Sequence, residues 1–444
     1  MIERERHAEL DRILERVRRD SRFDFEATET FVRTAVLALG AGFLQQVLEQ
    51  SEIDDSQPVD CPCGRTLVSD GFRSKTVRTI LGKVTVRRRL FRCAHCGKTA
   101  YPADTALGIS QTGFSPASRR MMARAGSQSP FAEAAEDLRI YAQLDVSAKD
   151  VERVAEQTGR DMDQWMQQRG SAARALDGQG LPPDGSTEPI PIVYVSFDGT
   201  GAPMRRSELT ETKSKTPGQP AKTREVKLGC IFTQTTVNSD GYPVRDPNST
   251  TYVGAIEDST DFGYRILGEA LRRGARRAKT LVVLTDGAAY NKSIAKEHFP
   301  NATHIIDLYH ARERLAALAK LLLPESHRTA LETQWRPLLD QGRIESLLAA
   351  VRAHLPRTGS RRKTALKDLH YFQHNASFLR YADFRAQGLF IGSGVVEAGC
   401  KTLIGRRLKQ SGMFWSTAGA NAIIAARCTH LSALAEQFWE DQAA

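Results

Sequence analysis

Two apolar, β-branched runs in this chain each lead to an acidic residue followed by glycine. IPIVYVSF runs straight into Asp198-Gly199, and TLVVL reaches Asp286-Gly287 one residue later. A short continuous apolar run bounded by a turn pair reads as a strand buried on both faces. Each acid then stands where the backbone leaves the sheet. A third acid, Glu397, lies in the Gly-bounded segment IGSGVVEAGCK, which reads as the start of a helix. Carboxylates at strand ends and on a neighbouring helix can converge on a divalent cation, because hard cations take oxygen ligands. Two such ions, about 3.5–4 Å apart, clamp the attacking and leaving oxygens of a phosphodiester in line. The pattern points to nuclease or strand-transfer chemistry on a nucleic acid. Taken singly, each Asp-Gly is also a common turn pair, and Glu332 and Glu345 are rivals to Glu397 as the third acid.

The order of elements around these acids narrows the fold. RALDGQGLPPDGSTEP (174–189) is rich in Gly, Pro and polar residues and reads as a linker. After it come three strands, PIPIVYVSF, REVKLGCIFTQT and TTYVGAIE. The helix DSTDFGYRILGEALRRGARRA follows, then the strand TLVVLTD, a short helix and the strand NATHIID. That order is the one found in a ribonuclease H-like α/β sheet, where the first and fourth strands are neighbours. It brings Asp198 beside Asp286. The first part of this core spans 190–309. Residues 310–385 are basic and helical in pattern throughout, an all-helical insertion between the second and third acids. The core resumes over 386–444 with helices containing GRRLKQSGMFW and AGANAIIAARC.

Four of the seven cysteines cluster upstream of the linker. Cys61-Pro-Cys63 and Cys93-Ala-His-Cys96 flank a stretch that alternates apolar and basic residues around Leu81-Gly82-Lys83, as a β-hairpin does. Residues 59–103 therefore read as a hairpin that brings two cysteine knuckles together around a structural zinc ion, although the first knuckle is C-x-C and not C-x-x-C. Residues 1–58 read as two helices, with Leu10, Ile13, Leu14 and Val17 at helical spacing in the first and FVRTAVLALGAGFLQQVLEQ as the second. SEIDDSQPVD links them to the hairpin. Residues 104–173 form a helical module whose two helices meet at Asp145-Val146-Ser147, with Ser147 as cap. This is a helix-turn-helix-like pattern that an ordinary helical hairpin shares. Cys230, Cys400 and Cys428 read as small buried hydrophobes.

Charge and hydropathy bound the partners. The 62 Lys and Arg against 52 Asp and Glu give a net +10, which favours a polyanion. Hydrophobic content of 41% and charged content of 26% are ordinary for a globular chain. No apolar run reaches the roughly 20 residues of a membrane span, and the charged N-terminus lacks a signal core. A cytoplasmic protein without a membrane partner is expected. Arg272, Arg273, Arg276 and Arg277 read as the outer face of a helix, and the basic loop 205–224 as mobile until DNA orders it.

These segments together resemble the DDE transposases of bacterial insertion sequences, the ISKra-type group. The resemblance covers nearly the whole chain: the cysteine knuckles, SFDGTG, AKTREVKLG, TDGAAYN, DLYHARERL, GSGVVEAGCK and GRRLKQSGMFW. It implies a ribonuclease H-like core with an all-helical insertion and two magnesium ions held by Asp198, Asp286 and Glu397. His310, in the string Asp307-Leu-Tyr-His310, is expected to act near the site. Lys401, Arg406, Arg407 and Lys409 are expected to hold the DNA backbone. The implied activity is 3′-end cleavage of element ends and strand transfer into target DNA by a homo-oligomer. A hydrolytic nuclease that never joins strands and a domesticated, non-catalytic DNA-binding relative are the competing classes.

Overall fold

The alternation of apolar and basic residues between the two cysteine pairs does fold as a hairpin. The computed structural model describes residues 15, 24–51, 59–182, 185–210 and 219–443. The first expected helix, the link over 52–58 and the loop tip over 211–218 lie outside the described residues. The chain divides into two compact units, one ending at Ala155 and the other beginning at Glu156. It mixes helix and sheet in both.

In the first unit, helix α1 (Phe25–Gln50) starts on the Asp24 side chain, which accepts from the Ala27 N–H at 3.0 Å. Strands β1 (Val59–Asp60), β2 (Thr66–Arg78), β3 (Lys83–Arg92) and β4 (Thr99–Ala100) form an antiparallel sheet in that order. Period-2 alternation puts Val77, Val84 and Val86 on one face, against Leu44 and Leu48 of α1. Gln45 also closes the free edge of β3. Its amide accepts from the Thr85 N–H at 2.7 Å and donates to the Thr85 carbonyl at 3.0 Å. By length and composition, Phe25–Gln50 is apolar enough to cross a membrane. A single helix of this kind does not make a membrane span, since core helices pass the same test, and Leu44 and Leu48 pack on Val77, Val84 and Val86 of the hairpin. Helices α2 (Pro102–Ala106), α3 (Pro116–Gln128) and α4 (Phe131–Ala142) complete this unit with the start of α5 (Ala148–Gly178). The turn before α5 is where the sequence puts it. Ser147 and Asp150 cap each other reciprocally, with the Asp150 N–H donating to Ser147 Oγ at 3.1 Å.

The second unit is a three-layer sandwich. Strands β5 (Ile190–Pro203), β6 (Thr223–Gln234), β7 (Thr236–Val237), β8 (Pro243–Val244), β9 (Thr251–Ala255), β10 (Ala278–Thr285) and β11 (Thr303–Ile306) occur in chain order. Five of them form one mixed sheet, β11-β10-β5-β6-β9. β11, β10 and β5 run parallel, while β5-β6-β9 is antiparallel. Alternate β5 residues face opposite ways. Val193, Val195 and Phe197 pack on α6 (Ser259–Arg272) and α7 (Ala289–His298). Tyr194 packs in a cluster with residues of α8 (Leu308–Leu322), α9 (Glu325–Asp340), α10 (Ile344–Arg352), α11 (Ser360–His374) and α12 (Tyr381–Ala386). Residues 310–385, between the second and third acids, hold helices and loops and no strand among the described residues, as expected. Helix α13 (Gly394–Gly399), a π-helical turn (Cys400–Gly405), α14 (Arg406–Leu408), α15 (Thr417–Leu431) and α16 (Ala435–Ala443) close the unit.

Two sequence expectations need correction. Residues 174–178 of the expected linker are the last turn of α5, and the unit boundary falls inside that helix. The polar composition of this stretch serves tethering, since Asp177 takes the Arg276 guanidinium at 2.7 and 3.0 Å, and Ser186 takes Arg277 at 2.9 Å. The arginines expected on an outer helix face are therefore tied down. Arg272 pairs with the buried Glu269, and Arg273 donates to the Ser249 carbonyl.

Candidate functional site

The parallel register decides where the acids stand. Ser196 of β5 pairs with Leu284 of β10, and Thr285 of β10 with Ile306 of β11. Asp198 and Asp286 each lie two residues beyond the Ser196–Leu284 pair, so they stand at the same level on adjacent strands. Adjacent strands are about 4.8 Å apart. β5 pairs with β10 only as far as Ser196 but with β6 on to Pro203, so Asp198 sits where its β10 neighbour ends. Asp307 follows Ile306 and is level with Asp286. Asp286 and Asp307 thus follow the ends of β10 and β11, whereas Asp198 stands level with them inside β5, which runs on to Pro203 beside β6. The expectation that Asp198 marks where its strand leaves the sheet is corrected.

Each carboxylate of the expected triad has one oxygen held and one left over. Asp198 Oδ1 accepts its own following N–H, from Gly199, at 2.7 Å. Asp286 Oδ1 accepts from the Ala288 N–H at 2.8 Å and from Asn291 Nδ2 at 2.7 Å. Glu397 Oε1 accepts from Ser393 Oγ at 2.9 Å. Their second oxygens have no hydrogen-bond donor among the described residues. Burial pushes the Asp198 carboxyl up, and the neighbouring Asp286 and Glu397 charges push it further. The Gly199 N–H and His310 pull the other way. Like charges held together in a half-buried site make a binding place for a cation.

His310 and Asp307 belong to the same neighbourhood. The ligand atoms of Asp307, His310 and Glu397 lie within 4.8 Å of one another, a tighter set than Asp198, Asp286 and Glu397. His310 Nε2 is 3.9 Å from Glu397 Oε1. Asp307 is fully buried and both its oxygens are engaged: Oδ1 caps α8 through the His310 N–H at 2.8 Å, and Oδ2 accepts from the Ser393 N–H. It fastens the start of α8 to the loop that carries Glu397. A cleft of about 660 Å³ opens beside this junction, lined by Tyr309, Arg312, Arg385 and Gly392.

No family model and no curated protein matches this chain. The site has to be argued from its own geometry.

The expected basic residues do not act as a set. Arg407 is fully buried, with its guanidinium 4.9 Å from the Trp415 ring, which removes it from any surface DNA could reach. Lys401 and Arg406 are exposed. A π-helical turn over Cys400–Gly405 follows α13 and carries Lys401. Lys409 donates to Thr200 Oγ1 at 2.5 Å, two residues past Asp198, and is the one of the four tied to the acidic strand. Sequence reasoning missed Asp307, Ser393 and Asn291. The D-x-x-H string and the serine four residues before Glu397 were the signals for the first two.

The cysteine cluster forms in the first unit. Cys61 Sγ is 3.4 Å from Cys96 Sγ, Cys63 Sγ is 3.6 Å from Cys93 Sγ, and all four sulfurs lie within 4.8 Å of one another. Those separations are far too long for disulfides and close to the about 3.8 Å edge of a tetrahedron with 2.3 Å metal–sulfur bonds. The N–H groups of Cys96 and His95 draw the Cys93 thiol down to about 6. The cluster can hold a metal such as zinc. Cys230, Cys400 and Cys428 are buried as expected, and burial pushes the Cys400 and Cys428 thiols up to about 12.

Proposed function

We propose that this chain is a DDE-type DNA transposase of the ISKra-type group with a ribonuclease H-like core. The observation that carries this reading is the convergence on Asp198 of two further acids, Asp286 and Glu397, each with one oxygen pinned and one unpartnered. The strand order β11-β10-β5-β6-β9 supports the ribonuclease H-like assignment, because it sets the first and fourth strands side by side. The donor set, all carboxylate oxygen, fits magnesium and not a soft metal. Bound there, two such ions would activate the attacking oxygen and stabilise the leaving one.

The side chains then have distinct tasks. Asp198, Asp286 and Glu397 would present oxygens to the ions. Asn291 and Ser393 fix two of those carboxylates by taking up the opposite oxygen. Asp307 holds the Glu397 loop against the sheet, and His310 stands within reach of Glu397 and of a phosphate beside it. Water attacks the phosphodiester at an element end, the bond from phosphorus to the 3′-oxygen of the element's terminal nucleotide breaks, the 5′-phosphate stays on the flank, and the element's 3′-hydroxyl is freed. That hydroxyl attacks a target phosphodiester and displaces its 3′-oxygen, so bonds broken and formed balance without a covalent enzyme intermediate. Catalysis is positioning and charge stabilisation throughout.

The purified protein, incubated with magnesium, labelled element ends and a target plasmid, tests this. Joined products are expected. Cuts without joining would favour a nuclease, and binding alone a domesticated relative. Asp198→Ala should abolish cleavage, a loss of at least about a thousandfold, and leave end binding nearly intact. Retained cleavage in that variant sinks the triad.

A further inference from the structure

Residues 59–103 carry ten Lys and Arg against two Asp, so most of the chain's net +10 resides on about a tenth of its length. Four thiolates around a dication would leave this segment positive. Much of the charge is spoken for. Lys75 and Arg88 pair with the buried Asp104 at 3.1 and 2.9 Å, Arg92 pairs with Asp70, and Arg78 donates to the Asp145 carbonyl. On the outward face of the hairpin the arrangement differs. Phe72 is directly opposite Arg89, and Ser74 opposite Arg87, on the side away from Val77, Val84 and Val86. Phe72 is 40% exposed, and the Arg87 and Arg89 guanidinium carbons stand 4.3 and 4.9 Å from its ring centroid.

We propose that Phe72, Arg87 and Arg89 form a phosphate-gripping face by which the hairpin holds duplex DNA through its backbone. The inference rests on the DNA-processing reading above. Long arginine side chains normally forfeit rotamer freedom on binding. Here one ring already holds two guanidinium groups in place. Arg87 has no carboxylate partner among the described residues, and its fork matches phosphate geometry. A two-stranded antiparallel ribbon also fits the major groove. The ring is already stacked against guanidinium, so it offers little to the splayed bases of a single strand.

The test is fluorescence anisotropy with the zinc-loaded full chain and a labelled duplex of arbitrary sequence, about 30 base pairs, over a salt series without magnesium. Arg87→Ala should weaken binding several-fold and reduce the slope of log affinity against log salt by about one. Phe72→Ala should weaken binding with the slope nearly kept, and Phe72→Trp should restore it. Equal zinc content and melting temperature separate a lost contact from a lost fold. Arg87→Lys, which keeps the charge but not the fork, should keep the slope and lose affinity. Arg87→Ala with unaltered affinity and slope overturns the site. An unaltered protein that binds no duplex overturns the transposase reading along with it. Intact binding by Asp198→Ala beside weakened binding by Arg87→Ala supports both.

Discussion

At the scale of single residues, the candidate site is defined by which oxygen of each carboxylate is already taken. Glu397 depends on Ser393, which is buried and donates its hydroxyl to Oε1 while its backbone N–H goes to Asp307. Ser393→Ala removes only the first of these contacts. Residues that orient a metal ligand typically matter about 10–100-fold. Ser393→Ala should therefore raise the magnesium concentration needed for half-maximal cleavage by about that factor, with melting temperature little changed. An unaltered magnesium requirement would mean that Glu397 is not positioned through Ser393. Asp198 and Asp286 were legible residue by residue, since each closes an apolar run. Asp307 was not, because a buried cap and a ligand share the same letter and differ only in what their oxygens touch.

At the scale of elements, helix α13 lies close on the sheet because Gly399 has no side chain. A Cβ there would stand 2.8 Å from the Tyr252 ring and 3.2 Å from Leu228. Gly399→Ala should cost about 1–3 kcal/mol through overpacking, and should impair cleavage beyond that by moving Glu397, two residues away. Thermal melting gives the first effect and cleavage at saturating magnesium the second. Full activity at an unchanged melting temperature would contradict this packing account. Gly287 serves differently. It adopts φ +80 immediately after Asp286, a left-handed turn that turns the chain toward α7. The five strands were readable as elements because period and apolar run length differ from those of helices. The π-helical turn after α13 was not readable, since nothing in CKTLIG marks a wider turn.

At the scale of the whole molecule, each compact unit carries one group able to hold a metal among the described residues, four cysteines in the first and Asp307, His310 and Glu397 in the second. Metal analysis should find one zinc per chain. Stripping it should unfold the cysteine hairpin, because the hairpin's knuckle end packs only Cys61, Leu67, Phe91 and Cys93 with Val59 and Ala100. Duplex binding should then fall sharply while the melting transition of the second unit persists. Undiminished binding after chelation would show that the cysteine cluster has no part in holding DNA. The unit boundary inside α5 was hidden from the sequence. A Gly/Pro-rich stretch looks like a linker whether it is free or tethered by Arg276 and Arg277.

The sequence by itself determined the local features: apolar runs that lead into acids, cysteine knuckles around a hairpin, a helical stretch over 310–385 and the Ser147 cap. Each depends on periodicity or on neighbours a few residues apart. Tertiary structure alone decided that Asp198, Asp286 and Asp307 share one sheet edge, that Arg407 is buried, and that Phe72 lies between two arginines. Those depend on strand register and side-chain burial, which are set by contacts between residues far apart in the chain. Glu397 sits between the two cases, marked by its motif but brought to the aspartates only by the helices folded between them.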